Sequence, residues 1–482
     1  MCTDARKVTV WNELRQRDLK AFASILRQEL VAQAAAQVGV ALGRGALGLF
    51  TLVWLGLGCA LHPCKNFADV LGLVLKLVSD GPAGLPRGQR QDKRRKTKHH
   101  PGGQDATTLS EEGFVQARRK LPWAFWTALV TLLAEDFAQT HASSIHWKQF
   151  RLLALDGTCL NLARWPRLTA FFGAAKGKKN GIPKTQARLV LLQFPLARIT
   201  WRFQVTPVKE SELSVAERLL TGLQANDLVL VDRGFWSFGL FWQIQNQRAF
   251  FATRLKAGIP LRTLKVLGRD DRLVCYQPTK RKWKKLGLPA AMPLRVIRYQ
   301  IQGFRPSAVV TNVLDPQAIS REEWVRLAAV DDAGRVLDPG LYHRRWEIET
   351  TFRELKVIQG LDGGLRGRTP ESIRYEVAGH VLLHMLVHWL MVEAADKAGL
   401  ADPLRLSFKS ALNELLDMRQ TLLQASAERV RRVLLPRLLN RIAQHRVPPR
   451  PGRHYSRPHD TKPKNKGRGQ YQRASKLETK RT

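Results

Sequence analysis

The sequence predicts an α/β fold with a β-rich insertion and helical regions at both ends. Residues 149–235 alternate short apolar, β-rich runs with one helical segment, as an α/β core does. Residues 236–335 contain further β-like runs and are much longer than an ordinary connection between elements. Apolar residues recur at helical spacing before residue 80 and again after residue 340. The chain therefore divides into a helical start, an interrupted α/β core and a helical end.

The first 148 residues are predicted to be mainly helical. Residues 1–86 form a helical N-terminal region, residues 87–108 a basic linker, and residues 109–148 one or two helices that lead into the core. The apolar run 46–61 is shorter than the span of about 20 residues that crosses a bilayer, so we expect a buried helix there. The mixed charges of the N-terminus are unlike those of a signal peptide. No membrane partner is therefore expected.

The first part of the core contains four predicted strands and a helix. Two apolar runs, 149–158 and 227–235, each reach an aspartate just before a turn. Between them, the β-rich runs 187–194 and 198–206 are joined by a short turn, which predicts a hairpin. A helical segment over 212–223 leads from the hairpin to the next strand. This alternation is the basis for predicting an α/β core.

Residues 336–400 are predicted to complete the core after the insertion. A helix over 341–359 ends at a glycine-rich stretch, and the apolar run 377–395 predicts a second, buried helix. Residues 401–444 are predicted to form C-terminal helices. Residues 445–482 are rich in Pro, Gly, Lys and Arg and almost lack aliphatic side chains, which predicts a basic, disordered tail.

The charge of the chain points to a polyanionic partner. The sequence has 79 Lys and Arg against 40 Asp and Glu, a formal net charge of +39. Residues 87–98 carry a net +6 and the tail 445–482 a net +10, which leaves +23 on the rest of the chain. The folded body is therefore cationic itself, and nucleic acid is favoured over a membrane surface. For the two basic runs, a solvated linker or tail without a partner stays an alternative.

A metal site built from Cys and His is not indicated. The five cysteines contain no Cys-x-x-Cys pair, so we expect them to act as small apolar side chains in a reducing compartment, the cytoplasm. His380, His384 and His388 repeat every four residues, as metal ligands on one helical face would. They lie inside the apolar helix, so packing in the core is favoured over metal binding.

Two carboxylates stand at the ends of predicted strands. Asp156 follows the apolar residues LLAL, and Asp232 follows LVLV. In α/β sheets the carboxyl ends of the strands form the crevice in which ligands bind. Two partly desolvated carboxylates side by side repel each other, and a divalent metal ion relieves that repulsion. The alternative is that each aspartate merely caps the turn after its strand.

Four chemically distinct side chains share one face of the predicted helix 341–359. At about 100° per residue their positions fall within an arc of about 60°. A carboxylate on this face is suited to complete a metal site, and flanking cations are suited to hold phosphate oxygens. The alternative is an exposed face with an ordinary i,i+4 ion pair. The four residues are Tyr342, Arg345, Glu349 and Lys356.

These residues resemble the signature of the DDE transposases of the insertion sequence four family. The spacing Tyr342-x2-Arg345-x3-Glu349-x6-Lys356 matches the Tyr-Arg-Glu-Lys signature of that family. The similarity covers about residues 40–420 and is most specific over 149–400. Five further segments resemble family motifs: LALDGT at 153–158, VDRGF at 231–235, FVQARRKLP at 114–122, VVTNVLDP at 309–316 and LRGRTPESIRYEVAGHVLLH at 365–384.

The resemblance implies a ribonuclease-H-like core, interrupted by a β-rich insertion before the glutamate helix. It also implies that Asp156, Asp232 and Glu349 are the catalytic residues and bind two Mg²⁺ or Mn²⁺ ions. One ion would activate water or a DNA 3′-hydroxyl, and the other would stabilise the leaving oxygen. Arg345 and Lys356 match positions that grip phosphates near the cut; Tyr342 matches one that hydrogen-bonds a phosphate.

Further residues are predicted to contact DNA. Trp346 and Trp324 are candidates for stacking on a base that is displaced during hairpin formation, with packing in the core as the alternative for both. Basic residues near the predicted site are expected to contact phosphates without reading sequence. These are Lys176, Lys178, Lys179 and Lys184 after the first aspartate strand, Arg233 beside the second aspartate, Arg344 on the helix, and Arg366 and Arg368 after it.

The implied function is cut-and-paste DNA transposition by a homodimer. The partners would be the terminal inverted repeats of the protein's own element and a target DNA, with a hairpin as the expected intermediate. The N-terminal region is the expected site of end recognition, and the tail would add non-specific affinity. The sequence leaves two alternatives: an inactive, transposase-derived protein that only binds DNA, and another ribonuclease-H-like nuclease. The second is disfavoured, because such nucleases lack the Tyr-Arg-Glu-Lys helix and the insertion.

Overall fold

A computed structural model gives the fold of most of the chain. Several predictions fall on residues outside the part that it describes: the start of the N-terminal region, the basic linker, Lys176, Lys178, Lys179 and nearly all of the tail. The described residues are 21–41, 48–62, 70, 111–119, 121–175, 183–278, 287–300, 306–325, 340–418, 421–422 and 425–447.

A single ten-stranded sheet forms the centre of the described fold. Its strand order is β4-β3-β2-β5-β6-β10-β9-β8-β7, and the short β1 pairs with β2. Only β2–β5 and β5–β6 pair in parallel; the other neighbours are antiparallel. The strands are β1 His146–Trp147, β2 Phe150–Asn161, β3 Gln186–Phe194, β4 Ile199–Pro207, β5 Asp227–Val231, β6 Phe250–Arg254, β7 Leu261–Gly268, β8 Asp271–Tyr276, β9 Met292–Tyr299 and β10 Ser307–Thr311.

Helices precede, interrupt and follow the strands. The α-helices are α1 Gln28–Gln37, α2 Leu49–Leu61, α3 Glu111–Arg119, α4 Trp123–Thr140, α5 Pro166–Phe172, α6 Glu212–Leu219, α7 Phe238–Asn246, α8 Arg321–Val325, α9 Trp346–Arg353, α10 Pro370–Lys397, α11 Phe408–Asp417, α12 Ala427–Arg429 and α13 Leu435–Gln444. Shorter elements are the 3₁₀ turns Ala142–Ser144, Arg233–Phe235, Leu341–Arg345 and Pro403–Arg405, the π turns Glu354–Ile358 and Val430–Leu434, and an irregular turn at Leu361–Gly364.

The mixed α/β class predicted from the sequence is confirmed. The central parallel strand β5 is buried at every position, because strands flank it on both sides and the turn Leu341–Arg345 packs against it. Helix α10 is buried along most of its length and contacts α2, α4, α13 and β4. By length and composition alone α10 would be able to cross a membrane, but 94% of its most apolar window is buried inside the fold. The apolar run 46–61 likewise forms the buried helix α2.

The boundary of the predicted insertion differs from the structure. The predicted insertion began at residue 236, yet β6 pairs in parallel with β5 and is a central strand of the main sheet. The strands β7 to β10 do not stand apart either, because β10 pairs with the other edge of β6 and continues the same sheet. Pairing in this way satisfies the backbone groups that β6 would otherwise leave open. The composition of these runs predicted strands but not their partners.

The predicted helix 341–359 is present but is not one uniform α-helix. It starts as a 3₁₀ turn, continues as α9 and ends as a π turn, and we call the whole segment Leu341–Ile358 the site helix. The winding changes from about 120° per residue in the 3₁₀ part to less than 100° in the π turn. The arc of about 60° predicted for the four signature residues assumed a uniform α-helix and is therefore wrong in detail. Their side chains nevertheless lie on the side of the helix that faces the sheet.

The two aspartates of the segment DLVLVD occupy very different environments. Asp227, at the start of β5, accepts two hydrogen bonds from Arg151, at 2.6 Å from Nε and 2.7 Å from Nη2. It also accepts a bond from the backbone N–H of Gln224, at 2.8 Å, and its side chain is fully buried. Asp227 therefore belongs to a structural ion pair, in contrast to Asp232 at the other end of the strand.

We expect Asp227→Asn to lower the free energy of unfolding by about 3 kcal/mol, because Arg151 would keep a buried charge without its counter-ion. The measurement is denaturant unfolding at neutral pH. Glu428→Gln is the matched control, since the Arg432–Glu428 pair is exposed and contributes less than about 1 kcal/mol. Equal effects of the two substitutions would contradict the structural role of Asp227.

Candidate active site

Asp156 and Asp232 lie side by side at the edge of the parallel part of the sheet. The parallel pairing of β2 and β5 ends with Leu155 opposite Val231, so each aspartate is the next residue on its strand. Neighbouring strands are about 4.8 Å apart, which brings the two aspartates together across the point where β5 stops. The parallel pairing of two short apolar runs thus creates the pair of carboxylates.

The Asp156 carboxylate is partly buried in an acidic environment. Its pKa is raised from 3.8 to about 6, mainly by burial and to a smaller extent by the nearby carboxylates of Glu212 and Asp232. The Gly157 N–H, which donates to Oδ1 at 2.8 Å, and the Arg345 guanidinium oppose this rise. The ionised form of Asp156 is therefore costly in the isolated protein, and a nearby cation would stabilise it.

The site helix is attached to the same edge through Tyr342. The hydroxyl of Tyr342 donates to the backbone carbonyl of Val231 at 3.0 Å, directly before Asp232. The tyrosine is only 5% exposed, and burial raises its pKa well above the usual value. Tyr342 therefore fixes the end of β5 against the helix. In this conformation its hydroxyl is already engaged and does not project into solvent.

Arg345 connects the glutamate of the helix to the first aspartate. Its Nη2 donates to Oε1 of Glu349 at 2.8 Å, and its Nη1 lies 3.5 Å from Oδ2 of Asp156. Arg345 is 4% exposed, so this is not the exposed i,i+4 pair that the sequence left as an alternative. The single charge of the guanidinium balances only one of the two carboxylates that it bridges, and it brings Glu349 to the side of the sheet that carries Asp156.

Lys356 fixes the far end of the site helix to β2. Its Nζ donates to the carbonyl of Cys159 at 2.8 Å and to Oγ1 of Thr158 at 3.3 Å. Asp362, 3.8 Å from the same Nζ, accepts hydrogen bonds from the backbone and side chain of Asn161. The helix thus runs alongside β2 from Asp156 toward Asn161, with its signature residues on the inner side.

Comparison with known proteins identifies the family. A model of the transposase DDE domain matches residues 147–386, which include all three carboxylates and the signature helix. The chain is also 25% identical over 435 residues to the transposase InsG for insertion sequence element IS4 of Escherichia coli (strain K12), a match that covers 88% of each protein.

The chain is a DDE transposase, similar along most of its length to a transposase of insertion sequence element IS4. It is therefore a DNA transposase, an enzyme of phosphoryl transfer on DNA. Among solved structures, a cryo-EM structure of the piggyBac transposase synaptic complex with hairpin DNA aligns with 90% of this chain and 85% of that one, at 11% identity and a TM-score of 0.37. At so low a score the two proteins need not share a fold.

Behind the active site, the transposase buries a hub of polar side chains around Glu354, in the π turn. Oε2 of Glu354 accepts from Nε2 of His384 at 3.0 Å and of His388 at 2.9 Å, while Oε1 accepts from Nη1 of Arg198 at 2.8 Å. Burial alone would raise the pKa of Glu354, but Arg198 and then His388 hold it well below its usual value. Arg198 also binds Glu347, which lies about two turns earlier on the site helix.

This hub has the residue types and the close spacing of a metal site, but hydrogen bonds already link its members. Glu354, His384 and His388 offer ligand atoms within 4.8 Å of one another. Burial lowers the pKa of His388 to about 4, so this ring is neutral and its N–H serves as a donor. Arg198 already occupies the other carboxylate oxygen, Oε1. His380, His384 and His388 are all buried, which agrees with the expectation that they pack in the core.

Several residues predicted to contact DNA are engaged inside the transposase. Trp324 is fully buried, which is the core packing that the sequence left as an alternative to base stacking. Arg366 donates to the carbonyl of Cys59 at 3.0 Å, and Arg344 lies 3.6 Å from Asp402. Each of these side chains stabilises the packing of helices around the site.

Other predicted contacts remain on the surface of the transposase. Trp346 is 38% exposed, with the guanidinium of Arg345 5.0 Å from its ring centre. Arg233 and Lys184 are exposed, and Arg368 lies over the ring of Trp165 at 4.5 Å. These side chains are the ones available to an approaching nucleic acid in the part of the chain that the structure describes.

The sequence analysis missed two residues near the site, Glu212 and Arg198. Neither lies in a motif, and each comes close to the site only through the tertiary fold. A weak signal existed for Glu212, because an acidic residue opens the helix that follows the hairpin. A signal for Arg198 is its position in the hairpin turn, where it adopts a positive φ of 51°.

Proposed function

We propose that this transposase moves its own element by a cut-and-paste reaction. Water first cuts one strand at each end of the element and frees a 3′-hydroxyl. This hydroxyl attacks the opposite strand, which closes a hairpin on the element end and releases that end from the donor DNA. A second water opens the hairpin, and the 3′-hydroxyl that it regenerates joins the end to a target. The observation that supports the proposal is the placement of three carboxylates: Asp156 and Asp232 follow strands that pair in parallel register, and Arg345 contacts both Asp156 and Glu349. In-line attack at phosphorus needs such a centre.

We propose Asp156, Asp232 and Glu349 as the ligands of two Mg²⁺ or Mn²⁺ ions. The donor set fits these ions, because all three offer carboxylate oxygens and partial burial leaves Asp156 in need of a counter-charge. The Glu349 side chain is 40% exposed and therefore open to ligands from solvent. When bound, such ions supply an activated nucleophile and stabilise the leaving oxygen.

The protein's own residues prepare this centre. Asp156 binds a cation only when ionised, and its pKa of about 6 leaves it mostly ionised above that pH. Arg345 and the Gly157 N–H stabilise the ionised form. Tyr342 holds the end of β5, so that Asp232 cannot move away from Asp156. Lys356 holds the end of the site helix against β2 through its bond to the carbonyl of Cys159. This contact helps to fix the position of Glu349 relative to the strand.

DNA would approach the exposed side of this centre. We propose that Arg233, Lys184 and Arg368 contact phosphates and that Trp346 stacks on a displaced base. Arg345 and Lys356 would hold phosphates next to the cut. To do so, each would give up one of its hydrogen bonds within the protein and form one to the DNA. For Tyr342, Arg344 and Arg366, whose side chains are engaged in the fold, the same exchange would be required.

We also propose the assembly and domain roles that the resemblance implies. The strands β2 to β6 and the site helix would form a ribonuclease-H-like core, supported by the central position of the strands that carry the aspartates. The enzyme would act in the cytoplasm as a homodimer that holds two element ends. The N-terminal region 1–86 would recognise the ends, while the linker 87–108 and the tail 445–482 would add non-specific affinity.

The test is cleavage of a plasmid that carries the DNA flanking the protein's own coding sequence. We expect the purified transposase to cut at both ends of this DNA with Mg²⁺ or Mn²⁺, and to be inactive in EDTA. Failure to cut with either ion, combined with normal binding to the same DNA, would identify an inactive DNA-binding protein and overturn the proposal.

A further inference from the structure

Glu212 lies against β2 directly beside the first aspartate. A Cβ atom placed on Gly157 would overlap Oε1 of Glu212 and would lie 2.9 Å from its Cδ. The Glu212 carboxylate therefore occupies the space that a side chain at position 157 would fill. Glycine at 157 is required for this close approach, and the contact is made one residue after Asp156.

Helix α6 sets this position of Glu212. Glu212 is the first residue of the helix, directly after the N-cap Ser211. The buried residues Val215, Ala216 and Leu219 hold the helix against the sheet, where it contacts β3 and β4. With the helix fixed by its apolar face, its first residue projects over the neighbouring strand β2. The acidic side chain reaches the site from a different element than Asp156, Asp232 or Glu349.

No hydrogen bond or ion pair within the described residues engages the Glu212 carboxylate. An acidic residue in the first turn of a helix gains about 0.3–1 kcal/mol from the helix dipole, and that benefit is available while the side chain points into solvent. Glu212 is instead half-buried and directed at the backbone next to another carboxylate. It adds to the rise in the pKa of Asp156, ahead of the contribution from Asp232. The helix dipole therefore does not account for its position.

We infer that Glu212 is a fourth carboxylate of the metal centre, which binds the divalent ion held by Asp156 through one of its oxygens or through a water on that ion. This inference rests on the proposed function. The observations that support it are the contact with Gly157, the approach from helix α6 and the lack of another partner among the described residues. Divalent cations such as Mg²⁺ and Mn²⁺ prefer carboxylate oxygens as ligands, which is the chemistry that Glu212 offers beside Asp156.

The test is Mn²⁺ binding to the full-length protein, followed by electron paramagnetic resonance without DNA. We expect Glu212→Gln to weaken Mn²⁺ binding by about tenfold or more, a change typical of residues that support a metal site. Glu217→Gln, on the same helix but one turn further along, is the matched control and should bind as the wild type does. In the cleavage assay, Glu212→Gln should need a correspondingly higher Mn²⁺ concentration.

A second variant separates the role of the carboxylate from that of the fold. Gly157→Ala keeps Glu212 but displaces it, so we expect the same loss of Mn²⁺ affinity with an unchanged far-ultraviolet spectrum. Wild-type Mn²⁺ affinity in Glu212→Gln would overturn the inference, whatever Gly157→Ala shows. If Asp156→Asn and Asp232→Asn also leave Mn²⁺ binding unchanged, the proposed metal centre itself fails; if they abolish binding, only the role of Glu212 fails.

Discussion

Asp156→Asn is expected to abolish DNA cleavage by the transposase and, at the same time, to make the metal-free protein more stable. The loss of cleavage should be at least about a thousandfold, because an amide cannot provide the charge that a metal ligand in a phosphoryl-transfer site supplies. The shape of the side chain is kept, and the Gly157 N–H retains an acceptor. A cleavage rate within about tenfold of the wild type would contradict the assignment.

The gain in stability follows from the raised pKa of Asp156. Its pKa is about 6 in the folded protein against 3.8 for an unperturbed aspartate, so the folded state binds the proton more tightly. The tighter binding of this proton stabilises the folded state fully below about pH 4, and the stabilisation is lost as the pH rises through 6. Above pH 6 the ionised carboxylate costs about 2 kcal/mol, which the neutral asparagine avoids.

Thermal unfolding in EDTA at two pH values measures this effect. At pH 8 we expect Asp156→Asn to unfold at a higher temperature than the wild type, and at pH 4 we expect the two melting temperatures to converge. Asp227→Asn serves as the contrasting variant, because its carboxylate is paired with Arg151 and the substitution should destabilise the protein at pH 8. A lower melting temperature for Asp156→Asn at pH 8 would show that its carboxylate is stabilised by the fold.

Glu354→Gln is expected to have the largest effect on stability, a loss of about 3–5 kcal/mol in the free energy of unfolding. The substitution leaves the buried Arg198 without the more buried of its two counter-ions and removes the shared acceptor of His384 and His388. Glu347→Gln is the matched control, because Glu347 pairs with the same arginine from a more exposed position. Its effect should be less than half as large in the same denaturant titration.

Unfolding in EDTA tests whether the Glu354 hub is purely structural or also binds a metal ion. Because Arg198 and two ring N–H groups already surround Glu354, we expect any lowering of the unfolding midpoint by EDTA to be as large in Glu354→Gln as in the wild type. A lower midpoint in EDTA that disappears in Glu354→Gln would instead indicate a metal ion bound at the hub. That result would support the alternative from the sequence, in which the regularly spaced histidines bind a metal ion.

The positions of Asp156 and Asp232 were predictable because the chain encodes them locally. Each follows an apolar run that folds as a buried strand, and the carboxyl ends of parallel neighbours meet at one edge. The inner face of the site helix was predictable for the same reason, since spacing along one helix is a local property. The register of Leu155 with Val231 was not, because pairing depends on both strands at once.

Other features depend on contacts between distant parts of the chain. Periodicity could not predict the 3₁₀ and π turns of the site helix, which adapt the helix to Val231 at one end and to the Glu354 hub at the other. The burial of Trp324 likewise depends on the surrounding fold. Glu212 lies 55 residues after Gly157 in the sequence, and only the packing of helix α6 on the sheet brings them together.

The most direct test of the metal centre is a change of metal preference in Asp232→Cys. A thiolate binds Mg²⁺ poorly but accepts softer ions such as Mn²⁺. If Asp232 binds the catalytic metal, the variant should cleave element ends at least about a hundredfold more slowly than the wild type in Mg²⁺ and recover a substantial part of that rate in Mn²⁺. Cleavage in Mg²⁺ at the wild-type rate, or the same fractional loss with both ions, would contradict the assignment of Asp232 to the metal centre.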